Sequence, residues 1–154
     1  RGCARKRRDT LITTIALKDG IVAYDSRATD EGVIVDNDYN KRSEINGKQW
    51  FFCGRVTDED LLVKAVEGEP RKKYSKHVDV SALIIDGKKI YTASIDHYDG
   101  YCICSEDPSV PIAIGSGSQF ALAAMDLGCS AKRAVKAARR RDVNTGGRIN
   151  TFKI

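Results

Sequence analysis

The side chains best able to do metal or redox chemistry are few and badly spaced for it. The chain of 154 residues holds five cysteines, Cys3, Cys53, Cys102, Cys104 and Cys129, and two histidines, His77 and His97. No C-x-x-C pair occurs, and an odd thiol count does not make a closed disulfide framework. Cys102 and Cys104 alternate on a β-prone run, so both face one side of it. These thiols read as buried or idle, and no metal is expected. The second chemical feature is a basic block. Arg1, Arg5, Lys6, Arg7 and Arg8 stand against Asp9 within residues 1–12, a local charge of +4 out of a net +5. Such a block can hold an acidic surface or nucleic acid, but no aromatic or groove-reading element accompanies it. It reads as a solvated leader, and nucleic acid is not the expected partner.

Bulk composition fits one soluble globular domain. Apolar residues make up 42% and charged residues 31%, and no run approaches the roughly 18 apolar residues of a membrane span. Leu11 and Ile12 follow the basic block, but Thr13, Thr14 and Lys18-Asp19 cut the run too short for a signal peptide. A cytoplasmic setting with no membrane partner is the expectation.

The elements that must position any site follow from periodicity and turn residues. Strands are expected over 13–17 and 21–25, joined at Asp19-Gly20, a strong hairpin signal. A polar stretch follows, and then a buried strand over 49–53 ending at Gly54. Thr57 opens a helix with acids in its first turn and Leu62, Ala65 and Val66 along one face. Gly68, Glu69-Pro70 and the basic run 71–73 end it. Strands over 78–85 and 89–94 turn at Asp86-Gly87, and 100–104 forms another strand. The short strand 111–114 runs into Gly115-Ser116-Gly117-Ser118. Helices are expected over 119–127 and from the Ser130 cap to about Arg141, then a last strand over 148–154. Segregated strands and helices predict two packed sheets with helices outside.

Four separated segments resemble the proteasome β-subunit and HslV family of N-terminal nucleophile hydrolases. They are Thr13-Thr14-Ile15-Ala16 with Asp25-Ser26-Arg27-Ala28-Thr29; Asn40-Lys41-Arg42-Ser43-Glu44-Ile45; Ile114-Gly115-Ser116-Gly117-Ser118 with Ala123-Ala124-Met125-Asp126; and Arg141-Asp142-Val143-Asn144-Thr145-Gly146-Gly147. Each alone is weak, and their order and spacing make the likeness. The resemblance implies an α+β, four-layer αββα sandwich of two mainly antiparallel sheets, with a shortened first helical layer. It also implies a leader over 1–12 and a single domain over 13–154.

The same resemblance implies a threonine peptidase in which Thr13, freed of the leader, is the nucleophile and its own α-amine the base. Lys41 matches the lysine that stabilises the polarised hydroxyl, and Asp25 the carboxylate that positions it. The Gly54 N–H is the expected oxyanion donor. Ser116, Asp142 and Thr145 form the network around the amine. Thr145 stands where the family usually has serine. Thr14 is an alternative nucleophile and Thr10 a remote third. Ala28, Phe52 and Val56 are expected to line an apolar substrate pocket. The family implies a homo-oligomeric ring, polypeptide substrates, an ATP-dependent unfoldase partner and no cofactor.

Three features depart from the family pattern. Ile12 stands where a glycine usually precedes the nucleophile, Arg55 replaces a second glycine after Gly54, and the long helical pair after Gly54 is reduced. These features motivate a second reading, an unprocessed and inactive assembly subunit.

Overall fold

A computed structural model describes residues 10, 11 and 13–154 of the chain. Most of the basic N-terminal block expected to be a leader, with Cys3 and Ile12, therefore lies outside the described residues. The described chain begins with β1 (Thr10–Leu11), followed by the hairpin β2 (Thr14–Lys18) and β3 (Ile21–Tyr24). Asp19 and Gly20 both take positive φ, 51° and 73°, the pair that a two-residue turn matched to strand twist requires. Two further hairpins use the same device. Glu31-Gly32 joins β4 (Ala28–Asp30) to β5 (Val33–Asp36), and Asn46-Gly47 joins β6 (Arg42–Ile45) to β7 (Lys48–Arg55).

A 3₁₀ turn (Val56–Asp58) leads into α1 (Glu59–Val66), whose Leu62 and Ala65 are buried. The chain then lays down β8 (Asp79–Asp86), β9 (Lys89–Asp96) and β10 (Gly100–Glu106) as an antiparallel meander. Strand β11 (Ile112–Gly115), helices α2 (Ser118–Asp126) and α3 (Ala131–Arg141), and β12 (Asn150–Lys153) complete it. Ser130 caps α3 by accepting from the Arg133 N–H at 3.3 Å, which satisfies one orphan donor of the first turn.

The strands form two antiparallel sheets. The larger runs β10-β9-β8-β7-β1-β4-β5, with β6 also paired to β7; the smaller runs β11-β2-β3-β12. Ile15, Leu17, Val22, Phe51, Leu83 and Ile85 fill the space between the sheets. The outer face of the small sheet packs Ala16 and Ala23 against Ala121, Met125, Ala134, Val135 and Ala138 of α2 and α3. Small residues at these positions let the helices approach the sheet closely.

The expected α+β four-layer αββα sandwich is not what the chain builds. The described residues make a small, β-rich fold of antiparallel sheets with three short helices, of 8, 9 and 11 residues. The outer face of the large sheet carries α1 against β8, β9 and β10, and one two-turn helix is not a layer. The reason is local. Gly68 takes φ 100° just past the helix, Pro70 lacks an N–H, and the basic run behind it has no apolar stripe to bury. Among the described residues, no helix is long and apolar enough to cross a membrane.

Helix α1 also carries a titrating group. Burial, and secondarily Asp60, push the Glu59 carboxyl up to about 7. A carboxyl raised in the native state adds stability below its ordinary value of 4.5, and loses it as pH rises through about 7. The positive end of the helix dipole at this N-terminus offsets part of that loss. Glu59→Gln is therefore expected to stabilise the fold above pH 7 by on the order of 1 kcal/mol, and to have little effect near pH 4. Thermal melts at the two pH values check it.

Candidate active site

The site sits where the two sheets meet, at the start of β2. The register of β2 and β3, with Ile15 opposite Tyr24, continues to Thr14 and Asp25, whose N–H donates to the Thr14 carbonyl at 3.4 Å. Thr13 is thus one step outward. Its hydroxyl donates to Asp25 Oδ1 and accepts from Lys41 Nζ at 2.5 Å. Lys41 also pairs with Asp25 Oδ1 at 2.7 Å, both side chains fully buried. The second Asp25 oxygen accepts from the Gly146 N–H at 2.8 Å. The carboxylate is therefore held at both ends, by a cation and hydroxyl on one side and a backbone amide on the other.

Burial lowers the Lys41 ammonium below the usual lysine value, and the Asp25 charge and hydrogen bond pull it part of the way back. A buried ammonium is tolerated when a carboxylate compensates it. Burial outweighs that pairing and leaves Lys41 readier than a surface lysine to give up a proton.

A second group of hydroxyls lies on the opposite side of Thr13. Thr145 donates to Asp142 Oδ2 at 2.7 Å, so the 2.7 Å contact between the Thr14 and Thr145 hydroxyls has Thr14 as donor. Ser116 donates to the same Asp142 oxygen and lies 3.4 Å from the Thr13 carbonyl. Thr14 is spent in this network, whereas Thr13 meets the lysine and the carboxylate. Two glycines make the approach possible. A Cβ at Gly115 would lie 2.0 Å from the Thr13 carbonyl oxygen, and one at Gly117 would lie 2.0 Å from the Thr14 hydroxyl.

A cavity of about 290 Å³ opens beside Thr13, lined also by Cys53, Gly54, Asp79, Ser81 and Ser116. Gly54 takes φ 101°, and a Cβ there would lie 2.5 Å from the Asp79 carbonyl. Glycine is required at this position. Burial, with Asp58 and Asp96 behind it, raises the Asp79 carboxyl above its ordinary value. Burial likewise pushes the Cys53 thiol up to about 12, so this thiol stays protonated and is a poor nucleophile. Arg55 turns away, donating to the His77 carbonyl at 2.6 Å.

The structure thus brings Thr13, Asp25 and Lys41 together, sets Ser116, Asp142 and Thr145 beside them, and places Gly54 across the cavity. It does not bring Ala28, Phe52 and Val56 there. Ala28 and Phe52 are core residues on the α1 side of the large sheet, with Val56 packed against them. Strand alternation explains this, since Phe52 and Cys53 must point to opposite faces of β7. The cavity's acid, Asp79, and its neighbour Ser81 were not apparent from the sequence. They arrive through the pairing of β7 with β8, which sets Gly54 opposite Val80, and no local pattern announces that register. Among the described residues no cluster of His, Cys, Asp and Glu is suited to a metal ion.

Strand β1 takes part in this architecture. Thr10 pairs with Thr29 of β4 and Arg55 of β7, and Leu11 pairs with Gly54. Thr10 and Leu11 therefore run as a short strand in a slot between β4 and β7. Compared with known proteins, the chain matches no family model and no curated sequence.

Proposed function

We propose that the chain is a threonine-type endopeptidase resembling the proteasome β-subunit and HslV kind, activated by cleavage between Ile12 and Thr13. The observation that carries the reading is the buried hydroxyl of Thr13 held by Lys41 and Asp25. In the activating step the Thr13 hydroxyl oxygen attacks the Ile12 carbonyl carbon and the Ile12–Thr13 amide breaks. The resulting ester is hydrolysed by water, leaving a carboxylate on Ile12 and a free amine on Thr13.

That amine titrates near 8 and takes the hydroxyl proton when a substrate carbonyl arrives. The acyl-enzyme forms, the substrate's amine leaves with that proton, and water completes the cycle. Gly54 is the proposed oxyanion donor. Lys41 favours the neutral amine and the developing alkoxide, because a second positive charge nearby disfavours the ammonium form. The slot between β4 and β7 is suited to an extended peptide, which would replace Thr10–Leu11 and add a strand to the sheet. With Asp79 in the cavity, a basic or polar side chain of the substrate fits better than an apolar one.

A second reading stays in view because Thr10–Leu11 is hydrogen-bonded into the large sheet. In it the leader is permanent, and the chain is an inactive assembly subunit. Assembly into a homo-oligomeric ring, an unfoldase partner and a cytoplasmic setting belong to the proposal on the strength of the resemblance alone.

The two readings separate in one comparison. A chain made to begin at Thr13, by fusing it behind a domain whose protease cuts immediately before that residue, is expected to hydrolyse fluorogenic peptides. The same chain with a permanent leader is expected to be inert. Equal inactivity of both, with both folded, would leave the assembly reading standing.

A further inference from the structure

The free edge of the large sheet carries an inference that does not rest on peptidase activity. Strand β10 pairs with β9 through seven uninterrupted residue pairs, from Gly100 with Asp96 to Glu106 with Ile90. No other described element pairs with it. Its sequence, Gly-Tyr-Cys-Ile-Cys-Ser-Glu, contains no lysine, arginine, proline or bulge, the usual devices that blunt an edge strand. Ile103 at its centre is 43% exposed, and Cys102 and Cys104 beside it are exposed free thiols. The opposite edge, β5, has only four residues and lies next to a register shift between Ala28 and Thr29. Such a shift bends an edge away from partners.

The direction of the unpaired main-chain groups follows from the hairpin between β8 and β9. Asp86 and Lys89 flank a two-residue loop led by Gly87 at φ 61°, and residues flanking such a loop form a hydrogen-bonded pair. Alternation along β9 then turns the amides of Thr92, Ser94 and Asp96 towards β10, so Cys104, Cys102 and Gly100 are bonded inward. The N–H and C=O groups of Tyr101, Ile103 and Ser105 are left pointing outward.

We propose that this edge is the docking surface for a second copy of the chain, β10 against β10, antiparallel about a two-fold axis at Ile103. In that register Ile103 faces its own copy and exchanges both hydrogen bonds with it. Tyr101 faces Ser105 of the other copy and does the same. Glu106, the strand's one charge, falls opposite Gly100, so no like charges meet. Cys102 falls opposite Cys104 of the other copy in a pair without hydrogen bonds, where Cα atoms stand about 4.5 Å apart. That separation is inside the range of roughly 4.4–6.8 Å that a disulfide spans. A single ladder of this length buries less than about 1,200 Å², so the dimer is weak and concentration-dependent until the thiols lock it.

The thiols supply the test. An azodicarboxamide oxidant, diamide, takes two hydrogens from two thiols across its N=N bond and leaves one S–S bond. Treated with diamide in its folded state, the full chain is expected to give a covalent dimer on non-reducing gels. Peptide mapping is expected to join Cys102 of one copy to Cys104 of the other. Ile103→Lys sets two lysines against each other on the axis and leaves the β9 ladder intact; it is expected to slow that link about tenfold or more. Cys102→Ser is expected to abolish it. Dimers joined through Cys3 or Cys129 instead, a Cys102–Cys104 link confined to one chain, or an Ile103→Lys protein that cross-links at the wild-type rate would each overturn the proposal.

Discussion

Thr13→Ala is expected to leave the Ile12–Thr13 bond uncut and to reduce peptide hydrolysis by about a thousandfold or more, while the fold persists. The argument is chemical. The Thr13 hydroxyl is the atom shared by Lys41 and Asp25, and the Thr14 hydroxyl is committed to Thr145. Removing Oγ1 takes away both the nucleophile that opens the leader and the one that would attack a substrate. Thr13→Ser keeps the oxygen and is expected to retain measurable processing. Lys41 and Asp25 pair directly at 2.7 Å, a contact that does not run through that oxygen, so the melting temperature should move little. Hydrolysis unchanged in the alanine protein would remove Thr13 from the chemistry.

Lys41→Met is expected to damage both activity and stability. Lys41 is 1% exposed and Asp25 not at all, so the methionine fills the space but leaves a buried carboxylate without its cation. Breaking such a pair costs about 3 kcal/mol or more. The Gly146 amide and the Thr13 hydroxyl still reach Asp25, which favours the lower end of that range. Denaturant unfolding of Lys41→Met against the double variant Lys41→Met/Asp25→Asn checks the origin of the cost. The double variant, with no stranded charge, is expected to recover part of the stability and none of the activity. If it recovers nothing, the loss comes from packing and not from the charge.

Much of the site's frame was legible because it is local. Asp19-Gly20 marked the turn of the first hairpin, whose observed register leaves Thr13 one step beyond Asp25. Ser130 announced the α3 cap. Other elements were missed although their signals were present. Asn46-Gly47 and Glu31-Gly32 close two hairpins, but the polar residues around β6 hid the alternation that makes a strand. Val33, Ile34 and Val35 of β5 are exposed, so they follow no in-and-out pattern.

What sequence could not supply is non-local. Lys41 is buried because β6 and β7 carry it under Thr13, and a lysine's burial cannot be read from its neighbours along the chain. Phe52 faces the α1 core and Cys53 the cavity, a choice set by which face of β7 meets the small sheet. The expected four-layer αββα sandwich with a shortened first helical layer came from the resemblance; on that side of the large sheet the periodicity showed only one short helix ending at Gly68.

The most direct test of the central claim is the intact mass of the natively purified full chain, paired with N-terminal sequencing. The proposal predicts a chain beginning at Thr13, with its α-amine free beside Lys41 and Asp25. A folded chain that still carries Ile12 joined to Thr13, after incubation at neutral pH, would contradict it.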